Sequence, residues 1–173
     1  MRGADTPAYN CDARINSEAE ERVSMTQPTV GRVERIWLKR MKGGPMDPQD
    51  RATLVAGRGL QGNANQGGKR QITILSHETW QRITAALPDA PDPAARRANL
   101  LVSGVDLANS RGRVLRIGRH RLRINGETRP CEQMEDAAPG LQAGLSEPWG
   151  GGLFAEALDD GEIAVGDTVT VED

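Results

Sequence analysis

The chain has 173 residues and a formal net charge of −2, which suits one domain with a single sizeable core. Aromatic residues make up only 3%, so the core must consist mainly of Val, Leu, Ile and Ala. The 20 glycines and 10 prolines argue against a helical bundle and favour short elements joined by turns. No apolar run approaches the ~20 residues that span a bilayer, so we expect a soluble protein without membrane contact.

Charge is divided unevenly along the chain. Residues 132–173 contain eleven acidic residues and no Lys or Arg, whereas residues 26–131 contain nineteen basic and eight acidic residues. Either the acidic part folds against the basic part, or the basic part binds an anionic partner, and the two interpretations are compatible. The two cysteines, Cys11 and Cys131, are too few for a disulfide framework, which predicts a reducing, cytoplasmic location.

The N-terminal part divides into an extension and the start of a domain. Residues 1–25 are polar and aperiodic, and we expect them to be disordered or to precede the true start, with the domain covering residues 26–173. Residues 29–38 are rich in β-branched and apolar side chains and predict the first strand. Residues 39–49 contain two glycines and two prolines and predict a loop.

The middle of the chain alternates strands with one helix. Residues 71–75 form a short apolar run that predicts a strand. Ser76 occupies an N-cap position, and Trp80 and Ile83 follow at helical spacing. A second apolar run at residues 99–102 predicts the next strand.

Two segments have the alternation of β-hairpins. Apolar and arginine residues alternate over residues 113–124 around a turn at Gly118, and a similar pattern covers residues 163–171 around Gly166. Between them, residues 131–145 predict one or two short helices. These elements together predict a mainly β fold, an antiparallel sheet curled into a closed or partly open barrel with a few short helices.

Several motifs point to chemistry that their surroundings do not support. Residues 57–62 match the G-x-G-x-x-G spacing of dinucleotide-binding loops, but no helix-forming sequence follows, so we expect a loop lining a site. His77 begins an H-E-x-x-H pattern in which Gln81 replaces the second histidine, which argues against a zinc site. The arginines of residues 113–123 lack interleaved aromatics, which favours a solvated hairpin face and no nucleic-acid binding.

Cys131 is the candidate reactive residue. It follows Arg129 and Pro130 at the predicted start of a short helix, where amides and a neighbouring guanidinium would favour a thiolate. The negative charges of Glu132, Glu135 and Asp136 would act in the opposite direction and raise the pKa of the thiol. A thiolate serves as nucleophile, persulfide carrier or soft metal ligand, but a buried inert cysteine remains the alternative from the residues alone.

Seven short motifs occur in one order along the chain. They are G-x-V-x-x-I at residues 31–36, G-L-x-G at 59–62, R-Q-I-T at 70–73, N-L at 99–100, I-G at 117–118, R-P-C at 129–131 and G-x-I-x-V-G-D at 161–167. Over about residues 29–172 the sequence thereby resembles the MOSC family, named for the C-terminal domain of molybdenum cofactor sulfurases.

The resemblance implies a barrel of the pyruvate-kinase type and a role in sulfur or molybdenum chemistry. In such a protein, Cys131 would carry sulfur as a persulfide or bind molybdenum in a pterin cofactor, molybdopterin. Arg70, Asn99 and Arg129, and less directly Arg58, would be polar groups of the cofactor pocket. Some members of the family reduce N-hydroxylated small molecules with electrons from a partner protein.

The chain departs from the family pattern at two positions. Asn63 stands where the family has Asp, and Ala98 stands where molybdenum-binding members often have Glu. The chain also has no room for a pyridoxal-phosphate desulfurase domain, so that cofactor would act only through a separate cysteine desulfurase. Three hypotheses follow: a molybdenum-dependent oxidoreductase, a persulfide carrier and a non-catalytic binding barrel.

Overall fold

A computed structural model describes residues 30–173 of the protein. The extension predicted for residues 1–25 lies outside the described residues. The strands are β1 (Gly31–Lys39), β2 (Met46–Gln49), β3 (Arg51–Val55), β4 (Gly59–Leu60), β5 (Ile72–Ser76), β6 (Leu100–Ser103), β7 (Val114–Ile117), β8 (His120–Glu127), β9 (Leu153–Ala157), β10 (Gly161–Ala164) and β11 (Thr168–Glu172). The helices are α1 (His77–Thr84), α2 (Gln133–Ala137), α3 (Leu141–Leu145) and the 3-10 helix Pro93–Arg96.

Seven strands close into a barrel in the order β1, β6, β5, β9, β8, β7, β11, which confirms the predicted fold class. The barrel closes where Gly31 and Arg32 of β1 pair with Val169 and Thr168 of β11. Neighbouring strands are antiparallel except β5 and β6, which are parallel and joined through α1 and the 3-10 helix. Strand β2 extends the sheet beyond β1, and β10, β3 and β4 form a second small sheet.

The aliphatic residues pack into two cores. The barrel interior contains inward side chains such as Val33, Leu115 and Leu122, all fully buried. The second core lies between the outer barrel wall and the helices, where Leu75 packs with Trp80 and other apolar side chains. Strand β5 is buried along its whole length because it faces both cores.

The middle elements match their predictions. Strands β7 and β8 form the predicted hairpin, with Leu115 opposite Leu122. Helix α1 begins as predicted, because the Ser76 hydroxyl accepts a hydrogen bond from the Thr79 amide at 3.3 Å. Residues 131–145, for which one or two short helices were expected, contain two, α2 and α3.

The second predicted hairpin, over residues 163–171, is wrong. Strand β10 pairs with β3, whereas β11 pairs with β7 and β1, so the two strands belong to different sheets. The turn between them binds β1 instead, since Gly166 donates to the Val33 carbonyl and Val33 donates to the Asp167 carbonyl. Val165 is correspondingly 44% exposed rather than inward-facing.

The segments predicted as loops contain strands. Residues 46–49 form β2, which pairs with the end of β1 and tolerates Pro48 because it is an edge strand. The glycine-rich residues 57–62 form a turn and β4, whose Leu60 is buried in the barrel core, and no helix follows them. None of the helices within residues 30–173 is long and apolar enough to cross a membrane.

The acidic C-terminal part folds against the basic part, as one of the two charge interpretations predicts. Within the described residues, six arginines pair with carboxylates of the acidic part: Arg51–Glu162, Arg82–Glu147, Arg113–Asp173, Arg116–Glu172, Arg121–Asp159 and Arg123–Glu156. These pairs are largely exposed, so each adds little stability. They neutralise the arginine-rich hairpin face, which supports its interpretation as a solvated surface.

The start of β9 sets up a first test. Gly152 has a φ of +88°, and a Cβ there would overlap the Ile74 carbonyl oxygen of β5, whereas Gly166 has a φ of +93° and open space around it. We predict that Gly152→Ala destabilises the protein by more than about 3 kcal/mol, since strain and overlap add, and Gly166→Ala by only about 1 kcal/mol. Urea unfolding measures both, and equal losses would contradict the close approach of β9 to β5.

A second test uses the pH dependence of the Arg121–Asp159 pair. Hydrogen bonds from the Arg121 side chain and backbone lower the pKa of Asp159 to about 2. This carboxylate therefore stabilises the fold above about pH 4, its unfolded pKa, and the contribution disappears as pH falls towards 2. We expect Asp159→Asn to lower the Tm at pH 6, with the difference from wild type shrinking below pH 3. Asp89→Asn, at an exposed position, is the control, and a difference that persists at pH 2 would contradict the assignment.

Candidate functional site

Cys131 lies on the surface between β8 and α2. Its free thiol is exposed, and its sulfur lies 4.0 Å from the Oε1 atom of Gln133. The amides of Met134 and Glu135 donate to the carbonyl oxygens of Cys131 and Glu132, both at 2.9 Å. These two amides serve the single turn of α2 and not the sulfur, so the thiol is accessible and held by few contacts.

The segment leading to Cys131 rests on a glycine loop. The buried Thr128 donates through its hydroxyl to the Gly151 carbonyl at 2.6 Å and through its amide to the Gly152 carbonyl at 2.8 Å. A Cβ at Gly151 would overlap the Thr128 carbonyl oxygen. Glycine at position 151 is therefore required for the close approach of the two loops.

A buried arginine joins these loops to the 3-10 helix. Arg96 is 7% exposed and donates from Nε to the Gly151 carbonyl and from Nη2 to the Thr128 hydroxyl, each at 3.0 Å. Burial, and then the nearby charge of Arg70, lower the pKa of Arg96 to about 10, while Cys131 opposes this shift. Arg96 therefore stays protonated at neutral pH, close to both residues.

Lys39 and Arg97 are two further cations of this region. Burial first, then the charges of Arg97 and Arg70, lower the pKa of Lys39 at the end of β1. Arg97 follows the 3-10 helix with a left-handed φ of 63° and donates from Nη2 to the Gly44 carbonyl at 2.7 Å. We call Lys39, Arg70, Arg96 and Arg97 the basic cluster.

The basic cluster has no carboxylate partner. Within residues 30–173, ten arginines form ion pairs with Asp or Glu, and no member of the basic cluster is among them. Burying or crowding like charges without counter-ions is unfavourable. Such an arrangement is typical of a site that binds an anion.

An open groove of about 540 Å³ lies next to the basic cluster. It runs between the 3-10 helix and α2, with Arg97 of the cluster on one wall and Gln133, the neighbour of the Cys131 sulfur, on the other. Met46 and Met134 supply apolar surface, and Asp136 adds a carboxylate to the lining. No group of three or more His, Cys, Asp or Glu side chains in the described part of the chain could hold a bare metal ion.

Comparisons with known proteins agree with this architecture. The model of the MOSC domain matches residues 42–170. The chain belongs to the MOSC family. No curated protein matches its sequence.

Solved structures share the MOSC fold. YuaD from Bacillus subtilis superposes with a TM-score of 0.69 and 21% identity, over 84% of this chain and 97% of YuaD. YiiM from Geobacillus stearothermophilus gives a TM-score of 0.67 and 14% identity, over 83% of this chain and 75% of that YiiM. YiiM from Escherichia coli gives a TM-score of 0.59 and 16% identity, over 82% of this chain and 70% of that YiiM. At these identities the likeness concerns the fold alone.

The structure brings together only some of the predicted site residues of this MOSC domain. Arg70 belongs to the basic cluster because its charge acts on both Arg96 and Lys39, and Cys131 also acts on the charge of Arg96. The Arg129 side chain is 85% exposed and lies 3.4 Å from Glu127, on the neighbouring surface. Arg58 is exposed and forms no side-chain hydrogen bond or ion pair within residues 30–173.

The side chain of Asn99 forms hydrogen bonds within the barrel scaffold. Its amide nitrogen donates to the Trp37 carbonyl and to Asn63 Oδ1, both at 3.1 Å, and its oxygen accepts from the amide and hydroxyl of Thr73. These bonds use both donors and both acceptor sites of the side chain. Asn99 therefore positions the start of β6 between β5 and β1, and its own polar atoms are not free for a ligand.

The two departures from the family pattern have different surroundings. Asn63 is 4% exposed, and its Oδ1 also accepts from the Lys39 amide at 2.9 Å, while its Nδ2 has no hydrogen-bond partner among residues 30–173. Ala98 packs in the second core beside Trp37 and Met134. Position 63 thus contacts the site through a hydrogen-bond network, whereas position 98 belongs to the apolar packing.

Sequence reasoning missed three of the four members of the basic cluster. Arg96 and Arg97 stand directly before the Ala98-Asn99 pair, so their proximity to the N-L motif was the available signal. Lys39 ends the first strand, and nothing in its local sequence distinguishes it from the neighbouring Arg40. Only the folded chain shows that Arg40 pairs with Asp47, whereas Lys39 has no carboxylate partner in the part of the chain that is described.

The Asn99 network provides a third test. Asn99→Ala leaves the Thr73 amide and the Trp37 carbonyl without partners in a buried position, so we expect a loss of about 2–4 kcal/mol in the free energy of unfolding. Asn125→Ala, which removes one exposed hydrogen bond to the Lys69 carbonyl, is the matched control and should cost less than about 1 kcal/mol. Chemical denaturation measures the free energy of unfolding of both variants, and similar losses in the two would refute the scaffold role of Asn99.

Proposed function

We propose that this MOSC domain binds the molybdenum cofactor beside Cys131 and uses it to reduce N-hydroxylated small molecules. The observation that supports this most directly is the basic cluster, four cations without a carboxylate partner among residues 30–173, one of which feels the charge of the exposed Cys131. Molybdopterin bears a phosphate monoester, which carries about −1.5 to −2 charge at neutral pH. Arg70, Arg97 and Lys39 are the residues that would hold this phosphate.

The residues present fit the group. A site without three converging metal-ligating side chains suits a metal that arrives with its own organic ligand and needs one protein sulfur, here Cys131. The unpartnered Nδ2 of the buried Asn63 is an additional donor close to Lys39. Because Asn63 brings no negative charge, the cluster keeps its full positive charge, which favours an anion.

Each residue then has a defined task. Molybdenum in its pterin supplies the two-electron redox chemistry when bound. Cys131 would ligate the metal, the basic cluster would hold the phosphate, and Thr128 with Gly151 would keep the Cys131 segment in place. The groove between the 3-10 helix and α2 would admit a small substrate beside Gln133. An electron-transfer protein would supply the electrons, in a cytoplasmic setting that the two cysteines suit.

Exposure of the thiol favours a second candidate function, a persulfide carrier. An accessible Cys131 could receive sulfur from a separate, pyridoxal-phosphate-dependent cysteine desulfurase and pass it to a metal–sulfur centre or to the cofactor. The basic cluster would then bind an anionic acceptor. A binding barrel without catalysis is the remaining alternative.

Metal and pterin analysis tests these functions. We expect wild-type protein purified from cofactor-producing cells to contain molybdenum and pterin in about equal amounts. Cys131→Ser should lose most of the molybdenum, and the Lys39→Gln/Arg70→Gln double variant should lose pterin as well, because its phosphate loses two charges. Arg119→Gln, an exposed position in the β7–β8 turn, should retain both.

The outcomes separate the three candidates. Wild-type protein without molybdenum and pterin would refute the oxidoreductase. In that case, mass spectrometry after incubation with a cysteine desulfurase and cysteine supports the carrier if it shows an adduct of about 32 Da, one sulfur atom on a thiolate, that Cys131→Ser abolishes. If neither the cofactor nor the adduct is found, the binding barrel without catalysis is the remaining candidate.

A further inference from the structure

Arg96 is the buried charge of the site, and its hydrogen-bond acceptors in the described residues are neutral. No other arginine or lysine in residues 30–173 is buried to the same degree. Its Nε and Nη2 atoms bond only to the Gly151 carbonyl and the Thr128 hydroxyl, and Nη1 has no hydrogen-bond partner in this part of the chain. An ordinary structural arginine at this depth would have a carboxylate beside it.

Arg96 and its helix contact the residues on both sides of Cys131. Thr128, which accepts its hydrogen bond, opens the segment that runs to Cys131. On the other side, the 3-10 helix that ends with Arg96 contacts α2, which begins two residues after Cys131. Contacts with Arg96 or its helix therefore flank both ends of the cysteine's segment.

The 3-10 helix is itself held firmly. Asp92 caps it by accepting from the Ala94 amide at 2.9 Å, and Arg35 of β1 binds both oxygens of the same carboxylate. The capping carboxylate is thus occupied by Arg35 and is not a counter-ion for Arg96. Arg96 therefore ends a helix whose start is capped by Asp92 and paired with β1 through Arg35.

We propose that Arg96 is a positioning residue whose guanidinium makes the Cys131 site selective for anionic over neutral partners, the bound anion serving as its missing counter-ion. The proposal rests on Cys131 being the reacting group of the proposed function. It goes further in assigning charge selectivity to a residue that no motif identified. The exposed acids Glu132, Glu135 and Asp136 near Cys131 make the opposite prediction, that anions are repelled.

Alkylation of the apoprotein measures this selectivity without any cofactor. The measured quantity is a ratio of two rate constants for alkylation of Cys131 in a Cys11→Ser background. The rate constant with iodoacetate, an anion, is divided by the rate constant with iodoacetamide, which is neutral. Both reagents attack the same thiolate, so the ratio cancels differences in thiol ionisation and access. The same ratio for an uncharged small thiol is the reference.

We expect the wild-type ratio to exceed the reference by about threefold or more at low ionic strength and to fall with added salt. Arg96→Gln should lower the ratio by about threefold, and Arg96→Lys, which keeps the charge, should retain most of it. Arg119→Gln, which removes an exposed charge in the β7–β8 turn, should leave the ratio unchanged.

Several results would overturn the proposal. One is a wild-type ratio at or below the reference, which decides the matter even if Arg96→Gln does not fold. Another is an unchanged ratio in folded Arg96→Gln, and a third is an equal fall in Arg96→Lys, since that would implicate the hydrogen bonds and not the charge. A protein without molybdenum or pterin would contradict the proposed oxidoreductase but would not alter this ratio, so the two failures are distinguishable.

Discussion

The parallel pairing of β5 and β6 determines where the functional residues meet. All other strand pairs in the described residues are antiparallel, and a parallel pair requires a crossover, which α1 and the 3-10 helix provide. Because the two strands run the same way, the segments that precede them lie side by side at one edge. Arg70 enters β5 there, and Arg96, Arg97 and Asn99 enter β6.

Closure of the barrel adds the remaining parts of the site. Strand β1 is antiparallel to β6, so its last residue, Lys39, reaches the same edge, and the Asn99–Asn63 hydrogen bond ties this edge together. Thr128 at the end of β8 is reached by the long side chain of Arg96. One strand orientation thus gathers residues that are up to 89 positions apart in sequence, from Lys39 to Thr128.

In the described residues, most arginines of the surface pair with carboxylates, whereas those of the site do not. The arginine hairpin face is neutralised by carboxylates of the C-terminal part, in exposed pairs that contribute little stability. At the site, Arg96 is buried against neutral acceptors, and its pKa falls to about 10 without losing the proton at neutral pH. Leaving a charge without a counter-ion costs stability, and that cost is consistent with a bound anion offsetting it.

The sequence by itself determined the local elements and the candidate cysteine. Alternation over residues 113–124 predicted β7 and β8, and the Ser76 cap predicted α1, because periodicity and capping depend on neighbouring residues. Tertiary structure alone decided that β10 and β11 separate into different sheets, that Asn99 is used by the scaffold, and that Arg96 lies beneath the cysteine segment. These facts depend on long-range pairing and burial, which local sequence patterns do not encode.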